Sequence, residues 1–121
     1  MRCRNATALI DFLERAFGFV PVAVYRDGEA VAHAQLDWPD GGGIMLGDDR
    51  PGAQWPQRPG AGGAYVVCAD PDALHERAAA AGAEILMPPT DQDHGSRDFT
   101  ARDPEGNLWS FGTYRGEPRP G

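Results

Sequence analysis

Apolar residues recur along this chain with two different periods. Leu9, Phe12, Leu13, Ala16 and Phe17 fall at i, i+3, i+4, i+7 and i+8, which is one stripe of an α-helix. Asn5 or Thr7 is placed to cap its start, and Gly18 stands where a helix ends in a left-handed residue. A period of two then takes over. It predicts strands over Phe19–Tyr25 and Ala30–Trp38, joined by a hairpin turn at Asp27-Gly28. Trp38-Pro39-Asp40-Gly41 predicts another turn before a third strand at Gly43–Leu46. Residues 48–63, rich in Gly, Pro and Arg, read as a long loop with Trp55 as its only large apolar residue.

The second half repeats this order. A strand is expected at Ala64–Cys68, then a helix with Asp70 as N-cap and Pro71 in its first turn. Leu74, Ala78 and Ala81 give that helix a thinner stripe, and Gly82 ends it. Strands follow at Glu84–Leu86, Arg97–Arg102 and Asn107–Tyr114, and the Pro/Gly-rich tail is expected to fray. The chain is therefore an internal repeat of a helix and three strands. The turns Pro39-Asp40-Gly41 and Pro104-Glu105-Gly106 match, and aligning Gly47 with Gly112 sets Met45 opposite Ser110. Aligning Gly18 with Gly82 sets the partner of Ala64 just before Met1. The sequence is thus expected to begin inside its first repeat's opening strand, with only Arg2-Cys3-Arg4 remaining.

Composition narrows the chemistry. A length of 121 residues predicts one domain, and 41% hydrophobic residues are enough for a core. The net charge of −7 argues against a nucleic-acid or anionic-membrane partner. No apolar run reaches membrane-spanning length and no signal-peptide pattern opens the chain, so the expected location is cytoplasmic. Cys3 and Cys68 lack a C-x-x-C spacing and read as small buried hydrophobes. All eleven basic residues are arginine, which rules out lysine Schiff-base chemistry.

Four segments carry a resemblance: "ATALIDFLERAFGF", "HAQLDWPDGGGIMLGD", "YVVCADPDALHERAAAAGAEI" and "DHGSRDFTARDPEGNLWSFGTY". Together they resemble the vicinal-oxygen-chelate superfamily of glyoxalases, extradiol dioxygenases and bleomycin-resistance proteins, and within it the bleomycin-resistance-like branch. The resemblance implies an α+β fold of two βαβββ modules, at about residues 1–47 and 64–114. Their mixed sheets curl round a cavity with helices on the outer face, commonly completed by a homodimer. Metal enzymes of the superfamily carry ligands on the first and last strands of each module. Carried over, those positions are the residue before Met1, Met45, Ala64 and Ser110. A thioether, a methyl and a neutral hydroxyl do not suit a divalent ion, so no metal and no cofactor are expected.

Candidate ligand-binding residues are His33, Gln35, Met45, Trp55, Ser110 and Tyr114. His33 and Gln35 share one face of a strand and either hydrogen-bond a ligand or form a solvated sheet face. Trp55 either lids a planar ligand or packs its own loop. Met45 and Ser110 are expected to point inward, and Tyr114 to supply a phenol from the last strand. Trp109 and Phe111 are expected to face the helices. Arg97 beside Asp98 and Asp103 reads as a structural ion pair or, alternatively, a clamp for a ligand carboxylate, and His75 as solvent-facing. The His94–Asp98 stretch lacks the G-x-S-x-G elbow of a hydrolase. No catalytic pair is evident. The expected function is metal-free binding and sequestration of a hydrophobic antibiotic or natural product. The alternative is a lyase, isomerase or oxygenase with a displaced divalent-metal site, for instance at His33.

Overall fold

A computed structural model describes residues 1–51 and 57–117. Trp55 therefore lies outside the described residues. Strand β1 is Arg2–Cys3, and helix α1, Ala6–Phe12, continues as a π-helical turn over Leu13–Phe17. Strands β2 (Val20–Asp27), β3 (Ala30–Asp37) and β4 (Gly43–Asp48) complete the first module. The second runs β5 (Gly63–Val67), α2 (Pro71–Ala80), β6 (Glu84–Asp91), β7 (Arg97–Arg102) and β8 (Leu108–Gly112). The two sheets have the same order, β1-β4-β3-β2 and β5-β8-β7-β6, each with a parallel first pair and antiparallel remainder. This is the expected α+β arrangement of two βαβββ modules.

The caps form where the sequence puts them. Asn5, rather than Thr7, caps α1 by accepting the Ala8 N–H at 3.1 Å, and Asp70 does the same for Ala73. The stripe is not one continuous α-helix. The π turn brings residues five apart into register, so Phe12 and Phe17 meet edge to face at 5.3 Å. Gly18, at φ 86°, then reverses the chain. Strand β6 runs on to Asp91 through Pro88 and Pro89, beyond the expected end at Leu86. An edge strand tolerates prolines because its outer N–H groups have no ladder partner. Conversely, β8 ends at Gly112, so Tyr114 lies past the strand that was expected to carry it.

Helices cover one face of each sheet and meet between the modules. Val31, Ala34, Leu36 and Leu46 from the first sheet and Phe99, Ala101, Trp109 and Phe111 from the second are buried against Leu9, Leu13, Phe17 and Ala78. Phe17 reaches across to Phe111 at 4.6 Å and Trp109 at 5.7 Å, and Phe19 to Trp109 at 5.5 Å. Trp109 and Phe111 thus face the helices, as their alternation predicts. The polar seam is as specific. Arg77 donates to the carbonyls of Glu14 and Arg15 at the end of the π turn, at 2.8 and 2.9 Å. The Glu105 carboxylate accepts the Arg4 and Asn5 N–H groups.

Two further expectations need correction. Arg97 pairs with Asp72 at 2.8 Å and Asp91 at 3.1 Å, not with Asp98 or Asp103. Its strand side chain reaches the start of α2, a neighbour that sequence distance conceals. Asp103 is instead a buried hub. One oxygen accepts the N–H groups of Glu105, Gly106 and Asn107, the other those of the Asn107 amide and Trp109 indole, all at 2.9–3.0 Å. His75 is half-buried, packing its edge on Phe99 at 5.6 Å. The cysteines are buried free thiols, and burial pushes Cys3 up to about 12 and Cys68 up to about 11.

Candidate functional site

The faces turned away from the helices remain open. On the first sheet, ladder pairing puts Tyr25 beside His33, and Gln35 beside Met45. The Tyr25 and His33 rings stack at 6.2 Å, and Gln35 Nε2 donates to Asp37 Oδ1 at 2.9 Å. Met45 is 58% exposed and Tyr25 62%, an unusual cost for large side chains in water. The alternation in β4 explains this: Leu46 is buried under the helices, so its neighbour must face the other way.

Among the described residues, two hollows adjoin the turn between β3 and β4. One, of about 470 Å³, is lined by Gln35, Asp37, Pro39, Gly42 and Met45. The other, of about 380 Å³, lies between the modules against Phe19, Asp40, Tyr65, Val66, Trp109 and Arg115. Both are bordered by Trp38, Gly41, Gly43 and Ile44, so they adjoin across the turn between β3 and β4 as two parts of a groove, the first on the open face and the second between the modules. Beside it, β5 runs along β8 from Leu108 to Gly112. The Trp38 indole N–H is fixed by the Val67 carbonyl at 2.8 Å, which holds this wall of the groove in place.

The candidates from the sequence fall into three groups. Gln35 and Met45 line the groove, and His33 lies one pair further along the same face. Ser110 is on the corresponding open face of the second sheet, with its hydroxyl 3.0 Å from Thr100 Oγ1. Tyr114 stands apart from both hollows. Its phenol donates to Glu117 at 2.6 Å, which raises its pKa, and its ring meets His94.

The register also moves one metal-position equivalent. Ser110 pairs with Tyr65, while Ala64 pairs with Trp109 on the helix-facing side. The residue facing Ser110 is therefore Tyr65, not Ala64; a one-residue offset in the repeat alignment had exchanged the two faces. The positions that would hold a divalent ion thus offer Met45, Tyr65 and Ser110: a thioether, a phenol and a hydroxyl already engaged. No His, Asp or Glu stands at any of them, and this donor set does not fit a divalent metal. Among the described residues no group of three or more His, Cys, Asp or Glu side chains gathers within reach of one ion. Tyr65, Trp38 and Asp37 are groove residues that sequence reasoning missed. A signal for Tyr65 existed, since it is the only aromatic residue in its strand.

No helix among the described residues is long and apolar enough to cross a membrane. Comparison with known structures places this geometry. TioX from Micromonospora sp. ML1 is similar at 29% identity over 93% of each chain, with a TM-score of 0.81. UcmS2 shares the fold at 16% identity over 94% of this chain and 93% of its own, with a TM-score of 0.71. A V278E mutant of glyoxalase I from Zea mays shares it at 16% identity and a TM-score of 0.74. That match covers 97% of this chain but 43% of the maize protein. A comparison with curated proteins gave no match. Residues 1–111 match the family described as the Glyoxalase/Bleomycin resistance protein/Dioxygenase superfamily, and the chain belongs to that superfamily.

Proposed function

We propose that the protein is a metal-independent binding protein of the bleomycin-resistance-like branch. It holds a hydrophobic, partly planar antibiotic or natural product and acts by sequestration. The observation that carries this reading is the groove: apolar and aromatic walls from Phe19, Trp38, Ile44, Met45 and Trp109, with only a few polar groups such as Gln35 and Asp37. Its donor set suits hydrogen bonding to a neutral ligand better than activation of water by an ion. The exposed apolar residues of the open faces, Val20, Val22, Tyr25 and Met45, favour a homodimer in which a second copy covers the ligand.

Calorimetric titration with glycopeptide, quinone and peptide antibiotics tests the reading, alongside metal analysis of protein purified without chelators. Saturable binding by metal-free protein is expected. Stoichiometric Zn, Ni, Fe or Mn, with binding lost on its removal, overturns it, as does uniform absence of binding across the panel.

A further inference from the structure

Tyr65 leaves β5 on the open face, opposite Ser110 of β8, but its hydroxyl ends beside β7. There it accepts the Tyr114 backbone N–H at 2.9 Å and donates to Asp98 Oδ1 at 3.4 Å. Asp98 pairs with Gly112, so the ring must cross over Gly112 to reach it. A Cβ on Gly112 would meet both the Asp98 carboxylate and the Tyr65 hydroxyl. The missing side chain is thus what lets the phenol oxygen reach Asp98. Asp98 is held in turn by Ser96, whose buried hydroxyl (the residue is 3% exposed) donates to the same Oδ1. Tyr65 remains 44% exposed on this open face, and as a residue it also borders the hollow between the modules.

A tyrosine anchored at its tip by two partners and undercut by a glycine has little rotamer freedom left to lose on binding. Its face offers stacking area at low entropic cost. We propose that Ser96 and Asp98 are positioning residues that fix Tyr65 as a flat stacking platform. The open face of the second sheet over Gly112 is then a subsite for a planar aromatic ring. The inference rests on the small-molecule reading above and names the ligand chemistry at this face.

The test is a double-mutant cycle read by titration with acridine, in its uncharged form, and with 1-adamantanol, a globular neutral comparator. Wild-type protein is expected to bind acridine about tenfold more tightly than adamantanol. Tyr65→Ala is expected to cut acridine affinity about tenfold and leave adamantanol within about twofold. Asp98→Ala is expected to weaken acridine about threefold, but to have no effect in the Tyr65→Ala background. Asp98→Asn keeps an acceptor for Ser96 and Tyr65 and restores binding. Three-bond NMR couplings should report one χ1 rotamer for Tyr65 in the wild type and averaging in Asp98→Ala.

Equal binding of the two probes, an unchanged acridine affinity in Tyr65→Ala, or additive losses in the cycle each overturn the proposal. If an antibiotic binds but Tyr65→Ala does not alter its affinity, the platform fails while the small-molecule reading stands. If neither the probes nor any antibiotic bind, both fall.

Discussion

The two modules share one topology but distribute their volume in opposite layers. In the first, bulk is on the helix, at Phe12, Leu13 and Phe17, and the buried strand positions are Val31, Ala34, Leu36 and Leu46. In the second, the buried helix positions are Pro71 and Ala78, and bulk is on the strands as Phe99, Trp109 and Phe111. The large side chains of one module therefore fill the shallow helix layer of the other, with Phe17 lodged against Phe111 and Trp109. A sequence repeat need not repeat its core. What must be kept is total volume at native packing density, and here the halves meet that requirement jointly. The open faces differ as well. Tyr25 and Met45 set large apolar side chains among His33, Gln35 and Asp37 on the first, while Asp98, Thr100 and Ser110 surround the ring of Tyr65 on the second.

The severest way to break this complementarity is Phe17→Ala. It should cost about 4 kcal/mol in denaturant unfolding, because the aromatic layer of the second module loses its counterpart. If the modules were energetically independent, calorimetry would show two transitions with only the first displaced; a single displaced transition is expected. Next comes Asp103→Asn, which puts an amide donor against the Asn107 and Trp109 donors that now share Oδ2. A loss of about 3 kcal/mol is expected, while Trp38, which occupies the equivalent turn position in the first module, lacks any such hub.

The matched glycines sharpen the comparison further. A Cβ on Gly47 would stand 2.7 Å from the Ala32 carbonyl, which is rigid backbone. On Gly112 it meets the Asp98 and Tyr65 side chains, which can give way at the cost of their mutual hydrogen bond. Gly47→Ala should therefore destabilise by about 2 kcal/mol and Gly112→Ala by about 1 kcal/mol, the latter with Tyr65 displaced. Equal costs would show Asp98 and Tyr65 to be held as firmly as the backbone beside Gly47. The last effect is absent at neutral pH and appears only in alkali. A thiol whose value is raised by burial contributes stability that is intact below its unfolded value near 9 and is lost as pH rises through the folded one. Stability should decline between about pH 9 and 11 for Cys68 and about 12 for Cys3, by at most about 1.4 kcal/mol per unit for each. In Cys68→Ala the slope of unfolding free energy against pH over that window should flatten.

Local signals reached a long way in this chain. The helix stripes, the Asn5 and Asp70 caps and the two proline turns are written in residues a few places apart. Those turns close with equivalent bonds, Trp38 N–H to Gly42 and Asp103 N–H to Asn107, both at 3.0 Å. His33, Gln35 and Met45 were legible as one open face because strand alternation alone puts them there. Tyr114 was misplaced because a ladder's end depends on its neighbours, and β8 stops where β7 stops pairing with it.

By itself, then, the sequence determined element types, the repeat and the superfamily, since periodicity, caps and turn chemistry act over short distances. Tertiary structure alone decided which face each strand shows and which charges meet. Tyr65 rather than Ala64 faces Ser110 because of the β5–β8 register, and a single step in register exchanges every side chain between faces. Arg97 found Asp72 and Asp91, and Asp103 gathered Asn107 and Trp109, because packing chose among several carboxylates that the chain alone leaves equivalent. The groove is a product of the same level. It lies where the β3–β4 turn of the first module meets β5 of the second.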